Sequence, residues 1–393
     1  MNPEFEYRAV ANSEDVEKFG SIIGQCFLSA PDEEQIWLER MGIENLRIIR
    51  QHREIVGGLV TIPMAQWWGG ESVAMTGIAG VGIAPESRGD GAALSLMQQC
   101  VKELYSKGVA ISVLYPATQR LYRKVGYEQA GSFCSWEISA QSIQIKEQPL
   151  PIKAVPTDSE IFYELYAKQA KNISGYLNRA QPIWHQIMKP FDKDKDIFYA
   201  YLIGSVEVAQ GYIIFSQDSS KDDAVLQVRD WVVLTNAAAK SFWSFLSNHR
   251  SVIDKIRWRS SVIDNLTLVL PEQTAKTKYI KRWMLRIINL EKALSTRGYL
   301  SGIETELHLE IKDDLIPENN GKFILSVANG CGNVAKGGKG ELKLDIRGLV
   351  PLYTGLFTPQ QLQLAGKLDG TDTALSTATE IFAGTSPWMA DYF

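Results

Sequence analysis

Residues 88–93 read Arg88-Gly89-Asp90-Gly91-Ala92-Ala93, and their types and order suit the binding of a diphosphate. Val81, Gly82 and Ile83 lead in along a strand that ends at Pro85. A helix with Leu94, Met97, Val101 and Leu104 on one face follows. A glycine-bearing loop in this setting turns successive backbone N–H groups toward one point, and the helix N-terminus adds partial positive charge. Gly89 and Gly91 let the backbone approach a ligand, while Ala92 and Ala93 keep side chains out of the way. No Lys-Ser/Thr pair follows the glycines, so this is not a nucleotide-binding P-loop, and Gly-x-Gly-x-x-Gly is not met.

A second group follows at Leu121-Tyr122-Arg123-Lys124-Val125-Gly126-Tyr127. A phenol is a proton donor that stays protonated at neutral pH. On these residues alone, packing on a short helix explains Tyr122 better than catalysis does. Tyr127, placed after Gly126, suits the start of a strand.

These groups need elements to hold them. A short strand over 7–10 precedes a helix capped by Ser13, with Val16, Phe19, Ile22, Ile23 and Phe27 at helical spacing. Strands follow at 45–50, 55–64 and 73–83, then a helix at 91–107. A strand at 110–114, a short helix at 119–125 and a closing strand at 132–139 complete an α/β or α+β unit of about 140 residues. Three prolines in 142–156 mark a linker. A helix at 158–170, strands at 197–203, 206–215 and 224–234, a helix at 237–248 and a strand at 255–259 echo the first unit. From Tyr212 to Arg297 there is no glycine, and the junction Val233-Leu234-Thr235-Asn236-Ala237 lacks the diphosphate loop. The second unit therefore reads as a degenerate copy. A third segment begins near Arg286, with strands at 304–311, 322–327 and 341–346 and three helices after Val350. Gly330-Cys331-Gly332-Asn333-Val334-Ala335 satisfies Gly-x-Gly-x-x-Ala, but it sits between two strands and reads as a hairpin loop.

Composition limits the partners. The chain has 393 residues, enough for two or three domains, and a net charge of -4 with no Lys/Arg run to suit a nucleic acid. Cys26, Cys100, Cys134 and Cys331 form no CxxC pair, and the four histidines are scattered, so neither a metal nor a disulfide framework is expected. No stretch approaches the ~20 apolar residues of a membrane span. The opening Met1-Asn2-Pro3-Glu4 begins no apolar leader, and a cytoplasmic location is expected.

Arg88 to Ala93 fits Arg-x-x-Gly-x-Ala, the pattern of the GNAT acetyltransferase superfamily. In that superfamily the loop and helix bind the pyrophosphate of acetyl-CoA, and the strand before them bonds the pantetheine arm. Leu121 to Tyr127, Trp283-Met284-Leu285-Arg286-Ile287-Ile288-Asn289, Ala293-Leu294, Arg297-Gly298-Tyr299 and the aromatic last residue Phe393 together resemble the enhanced intracellular survival family of bacterial acetyltransferases. The resemblance spans the whole chain. It implies an α+β protein of α/β type with tandem GNAT folds, each a mixed sheet flanked by helices, and a sterol-carrier-like α+β domain. The corresponding boundaries are 1–141, 142–285 and 286–393. It implies acetyl-CoA as co-substrate, no metal, a small-molecule or peptide primary amine as acceptor, and a homo-hexamer. By the same resemblance Tyr122 is the general acid, the α-carboxylate of Phe393 is the general base, and Phe27 and Trp37 line the acceptor pocket. Glu33, Glu34 and Glu39 are alternative carboxylates. Aminoglycoside-modifying members carry acidic residues where this chain has Leu28-Ser29 and Tyr392, which counts against an aminoglycoside acceptor and leaves the identity of the amine open. The competing reading is a non-catalytic acyl-CoA or lipid sensor.

Overall fold

The computed structural model describes residues 5–29, 31–190, 197–219 and 223–393; the first four residues, where no leader is expected, lie outside these. Strands β1 (Phe5–Ala9), β2 (Leu46–Gln51), β3 (Glu54–Trp68), β4 (Glu71–Ile83), β5 (Ile111–Leu114) and β6 (Glu128–Ser139) come from the first part of the chain. With them come α1 (Ser13–Phe27), α2 (Pro31–Met41), α3 (Ala92–Ser106) and α4 (Gln119–Arg123). Helix α1 starts one residue earlier than expected. Asn12, not Ser13, is its cap and accepts from the Asp15 N–H at 2.9 Å. β3 and β4 are buried along most of their length, as strands covered on both faces must be.

The second part supplies β7 (Ile152–Val155), β8 (Leu177–Asn178), β9 (Phe198–Gly204), β10 (Ala209–Ser219), β11 (Ala224–Val233), β12 (Lys255–Ser260) and β13 (Lys276–Ile287). Its helices are α5 (Ile161–Ala170), α6 (Gln181–Met188) and α7 (Asn236–Ser247). Among the described residues these strands and the first six form a single mixed sheet, in the order β1-β2-β3-β4-β5-β13-β6-β12-β11-β10-β9-β7, with β8 on β3. The two halves exchange their last strands. β13 pairs with β5 of the first half, and β6 pairs with β12 of the second. β6 and β13 pair with each other at the seam, through two irregularities in register.

The last part forms a separate five-stranded sheet, β16-β15-β14-β17-β18. Its strands are β14 (Thr305–Lys312), β15 (Gly321–Ala328), β16 (Cys331–Lys336), β17 (Leu342–Asp345) and β18 (Leu368–Gly370), with helices α8 (Leu290–Thr296), α9 (Ile346–Tyr353), α10 (Pro359–Leu364) and α11 (Asp372–Ile381). Asn329 and Gly330, both at positive φ, join β15 to β16 as a two-residue hairpin turn. Two close contacts lock this part to the large sheet. The Arg286 Nη2 lies 2.7 Å from both oxygens of Asp313, and neither side chain is exposed. Gly69, in the β3–β4 turn, meets Gly298 so closely that a Cβ on either would lie within 2.2 Å of the other's carbonyl oxygen.

Candidate active site

The site begins where two parallel strands part. β4 and β5 pair from Met75↔Ile111 to Ile78↔Leu114, and β5 then ends. β4 continues to Ile83, so Ala79 to Ile83 has no partner on that side. On its other side β4 carries a bulge against β3, with Val60 opposite Ala79 and Gly58 opposite Gly82. Gly80, inside that bulge, has φ of +55°. The opening between β4 and β5 leaves Val81, Gly82 and Ile83 without a strand partner on the β5 side, although Gly82 and Ile83 are themselves buried.

The loop over 88–93, expected to hold a diphosphate, lies at the wide end of this opening. Arg88, Gly89, Asp90 and Gly91 are exposed, Ala92 is buried and Ala93 half-buried. Gly89 and Gly91 adopt φ of +97° and +92°, with open space where a Cβ would stand. They are therefore needed for backbone conformation, and the room around them remains for a ligand. Gly91 caps α3 without any side-chain hydrogen bond, so the first N–H groups of the helix carry no capping acceptor. That is the donor set a diphosphate needs. Arg88 folds back: its Nε donates to the Ile83 carbonyl at 3.1 Å and its Nη2 lies 3.4 Å from the Cys26 Sγ. It thus braces the loop against β4.

Tyr122 sits on α4, buried in the apolar cluster that also holds Ile78 and Leu114, the last paired residues before the strands part. Burial pushes its phenol up to about 12. No hydrogen bond to its hydroxyl occurs among the described residues, and its ring packs edge-on to Tyr127 at 6.1 Å. Tyr127 differs. Its hydroxyl is 2.7 Å from the Ser112 Oγ, which in turn donates to the Thr76 carbonyl. Of the two tyrosines, only Tyr122 keeps a proton without a partner in the described chain.

The C-terminal tail lies on the opposite side of β4. Its backbone bridges to β6 at Ser132↔Trp388. The Tyr115 hydroxyl donates to the Asp391 carbonyl at 2.9 Å. The Phe393 ring rests on Gly77, where a Cβ would come within 2.6 Å of it. Asp391 is buried and clamped by Arg179, whose Nε and Nη2 lie 3.0 and 2.9 Å from its Oδ1. The same guanidinium holds Asp230 at 2.7 Å and lies 3.7 Å over the Tyr166 ring. Nothing in the sequence pattern marked Arg179, Asp230 or Asp391. Their only signal was charge within otherwise apolar stretches.

A cavity of about 250 Å³ opens between α1, α2, β4 and the tail, lined by Phe27, Glu33, Glu34, Trp37, Gly80 and Phe393 among others. Phe27, Trp37 and Phe393 are therefore brought together. Glu33 and Glu34 join them, whereas Glu39 is exposed on α2, bonded to Gln35, and is not part of the lining. Glu34 reaches in because α1 has glycines at positions 20 and 24, where any Cβ would collide with its carboxylate. Burial pushes the Glu34 carboxyl up. A Cβ on Gly80 would lie 2.7 Å from the Trp37 ring. Gly80→Ala should therefore displace Trp37 and strain the bulge, lowering unfolding free energy by about 1–2 kcal/mol. Chemical denaturation checks that loss, and a change in tryptophan fluorescence checks the displacement.

Comparison with known proteins agrees with this geometry. Residues 6–130 and 175–287 each match the acetyltransferase (GNAT) domain, and residues 290–390 match the sterol carrier protein domain. The chain is similar to a GCN5-related N-acetyltransferase from Anabaena variabilis at 55% identity, over 99% of this chain and 100% of that one, with a TM-score of 0.97. An uncharacterized N-acetyltransferase from Streptomyces griseus is 24% identical over 83% of each chain. Eis1 from Mycobacterium abscessus, 19% identical over 99% of this chain and 100% of its own, shares the fold at a TM-score of 0.83. No helix among the described residues is long and apolar enough to cross a membrane. With two acetyltransferase domains in tandem ahead of a sterol-carrier domain, the chain belongs to the GCN5-related N-acetyltransferases.

Proposed function

We propose that the chain transfers the acetyl group of acetyl-CoA to a primary amine, with Tyr122 as general acid and the α-carboxylate of Phe393 as general base. The observation that carries this is the opening between β4 and β5. It has the uncapped end of α3 at its mouth, the Tyr122 cluster on one side and the Phe393-lined cavity on the other. Acetyl-CoA supplies the thioester. The backbone of Val81 to Ile83 and the first turn of α3, from Arg88 to Ala93, hold its pantetheine and diphosphate. Phe27 and Trp37 flank the acceptor. The ammonium must lose a proton before it attacks, and the Phe393 carboxylate receives it, directly or through a water. The C–N bond forms as the C–S bond breaks, and Tyr122 donates to the departing sulfur. The products are an amide, the free thiol of CoA and one proton.

In the second half the parallel strands β11 and β12 also part, after Gln227↔Arg257, but no glycine-bearing loop opens the helix that follows. Thr235 caps α7 with its own side chain, accepting from the Ala238 N–H at 3.1 Å, so the position equivalent to the diphosphate site is already satisfied. This supports a single cofactor site per chain. Hexameric assembly and a cytoplasmic location belong to the same reading, and light scattering tests the first.

Thiol release from acetyl-CoA across a panel of amines tests the function. Amine-dependent release is the expected result. Thermal stabilisation by CoA with no release from any amine would favour the sensor, and no stabilisation would remove both readings.

A further inference from the structure

A second cavity, of about 340 Å³, shares Trp37, Tyr392 and Phe393 with the first. The two cavities are therefore neighbours across a partition of three aromatic side chains. Their charges are opposite. Among the described residues, the first is lined by two side-chain carboxylates, Glu33 and Glu34, and by no cationic side chain. The second is lined by Arg229 and Arg259, and its one side-chain carboxylate, Asp391, is already held by Arg179, while Phe393 lines both cavities.

Arg259 is the better placed of the two guanidiniums. It is half-buried at the end of β12, beyond the last β11–β12 pair at Gln227↔Arg257. Its one side-chain hydrogen bond among the described residues runs from Nη1 to the Ala390 carbonyl at 3.2 Å. That contact fixes it against the tail, within three residues of Phe393. The ring of Phe133 lies 5.0 Å from its guanidinium carbon and screens one side from water. A guanidinium in such a place offers forked donors to a carboxylate, at reduced solvent competition. Arg229, stacked at 4.1 Å on Phe198, adds positive charge to the same wall.

We propose that the acceptor is an amino acid of the ω-amino type, its ammonium beside Glu34 in the first cavity and its carboxylate on Arg259 in the second. This rests on the acetyl-transfer reading above. A polycation would place charge against Arg259, whereas an amine with a distal carboxylate matches both ends. The aromatic partition of Trp37, Tyr392 and Phe393 suits the methylene chain between them.

The test compares amines that differ only at the far end: γ-aminobutyrate with butylamine, and ε-aminocaproate with hexylamine. At least one amino acid should have kcat/KM about tenfold or more above its alkylamine, the size of one charge-assisted hydrogen bond. Arg259→Gln should bring that ratio close to one, and Arg259→Lys should restore part of it. An alkylamine used as well as or better than its amino acid overturns the proposal. So does an Arg259→Gln variant that lowers both rates equally, because the residue then serves only to hold the tail. If these amines are inert while others in the wider panel release thiol, the acceptor class is wrong and acetyl transfer stands. If no amine releases thiol, acetyl transfer itself fails and the acceptor class falls with it.

Discussion

Tyr122→Phe should lower kcat by about 100-fold or more, the range of a lost general acid, and leave acetyl-CoA affinity unchanged. The substitution removes one oxygen from a ring whose packing it keeps. Because that hydroxyl has no partner among the described residues, no buried acceptor is orphaned and stability should hold. The size of the pKa shift refines the role. A phenol pushed up to about 12 stays protonated across the working range. A free thiol has a pKa of about 8.5, so complete proton transfer to a thiolate would be uphill by roughly 5 kcal/mol. In the proposed mechanism, Tyr122 then acts by donating to sulfur as charge builds in the transition state. The activity of the wild type should show no alkaline limb near pH 10, where an ordinary tyrosine would ionise. Stopped-flow turnover and CoA titration check the first expectation, and a pH–rate profile the second. Equal losses of turnover and affinity would instead assign Tyr122 to cofactor packing.

Arg179→Met should have the largest effect on stability, about 3–5 kcal/mol, because it leaves buried carboxylates without their counter-charge. One guanidinium serves both Asp230 and Asp391, and burial already pushes the Asp391 carboxyl up against the pull of Arg179. Without the arginine, at least one carboxyl must take up a proton or leave the interior. Asp391 is the one on a chain end, so the tail should be released and Phe393 with it. Turnover should fall together with the unfolding midpoint, and a protease should cut the tail earlier than in the wild type. Asp391→Asn is the milder case. The amide oxygen still accepts from Arg179, and the charge shared between two carboxylates is matched by one. Its loss should be nearer 1 kcal/mol.

The strand–loop–helix turn over 81–94 was legible because it is local. Glycine conformation, helix start and strand end all lie within 81–94. The absence of a glycine-bearing loop from the second half could be read for the same reason. The opening between β4 and β5 was not: the strand ends at Ile83 and Leu114 were expected, but the register that puts the last pair at Ile78↔Leu114 joins distant parts of the chain and has no local signal. Tyr122 and Phe393 came from likeness to a family rather than from pattern, because a tyrosine on an apolar helix face looks the same in either role. Strand β13 was missed. Its first half, Lys276-Thr277-Lys278-Tyr279-Ile280-Lys281-Arg282, is polar and mostly exposed, and only Trp283 to Ile287 is buried. Helix α6 was missed too, in a stretch that contains Pro182. The buried Arg179 clamp joins residues more than fifty and two hundred positions apart, which no local signal encodes.

The exchange of last strands also sets a timetable for synthesis. When β5 leaves the ribosome, the strand that must lie beside it, β13, has not yet been made. At roughly 5–20 residues per second, the intervening chain takes about 8–30 s to emerge. During that interval β5 presents an unpaired edge of Ile111, Val113 and Leu114, the kind of surface that draws in other chains. The N-terminal half is thus a client of its own C-terminal half, and a chain cut short at the proline-rich linker would keep that edge open for good.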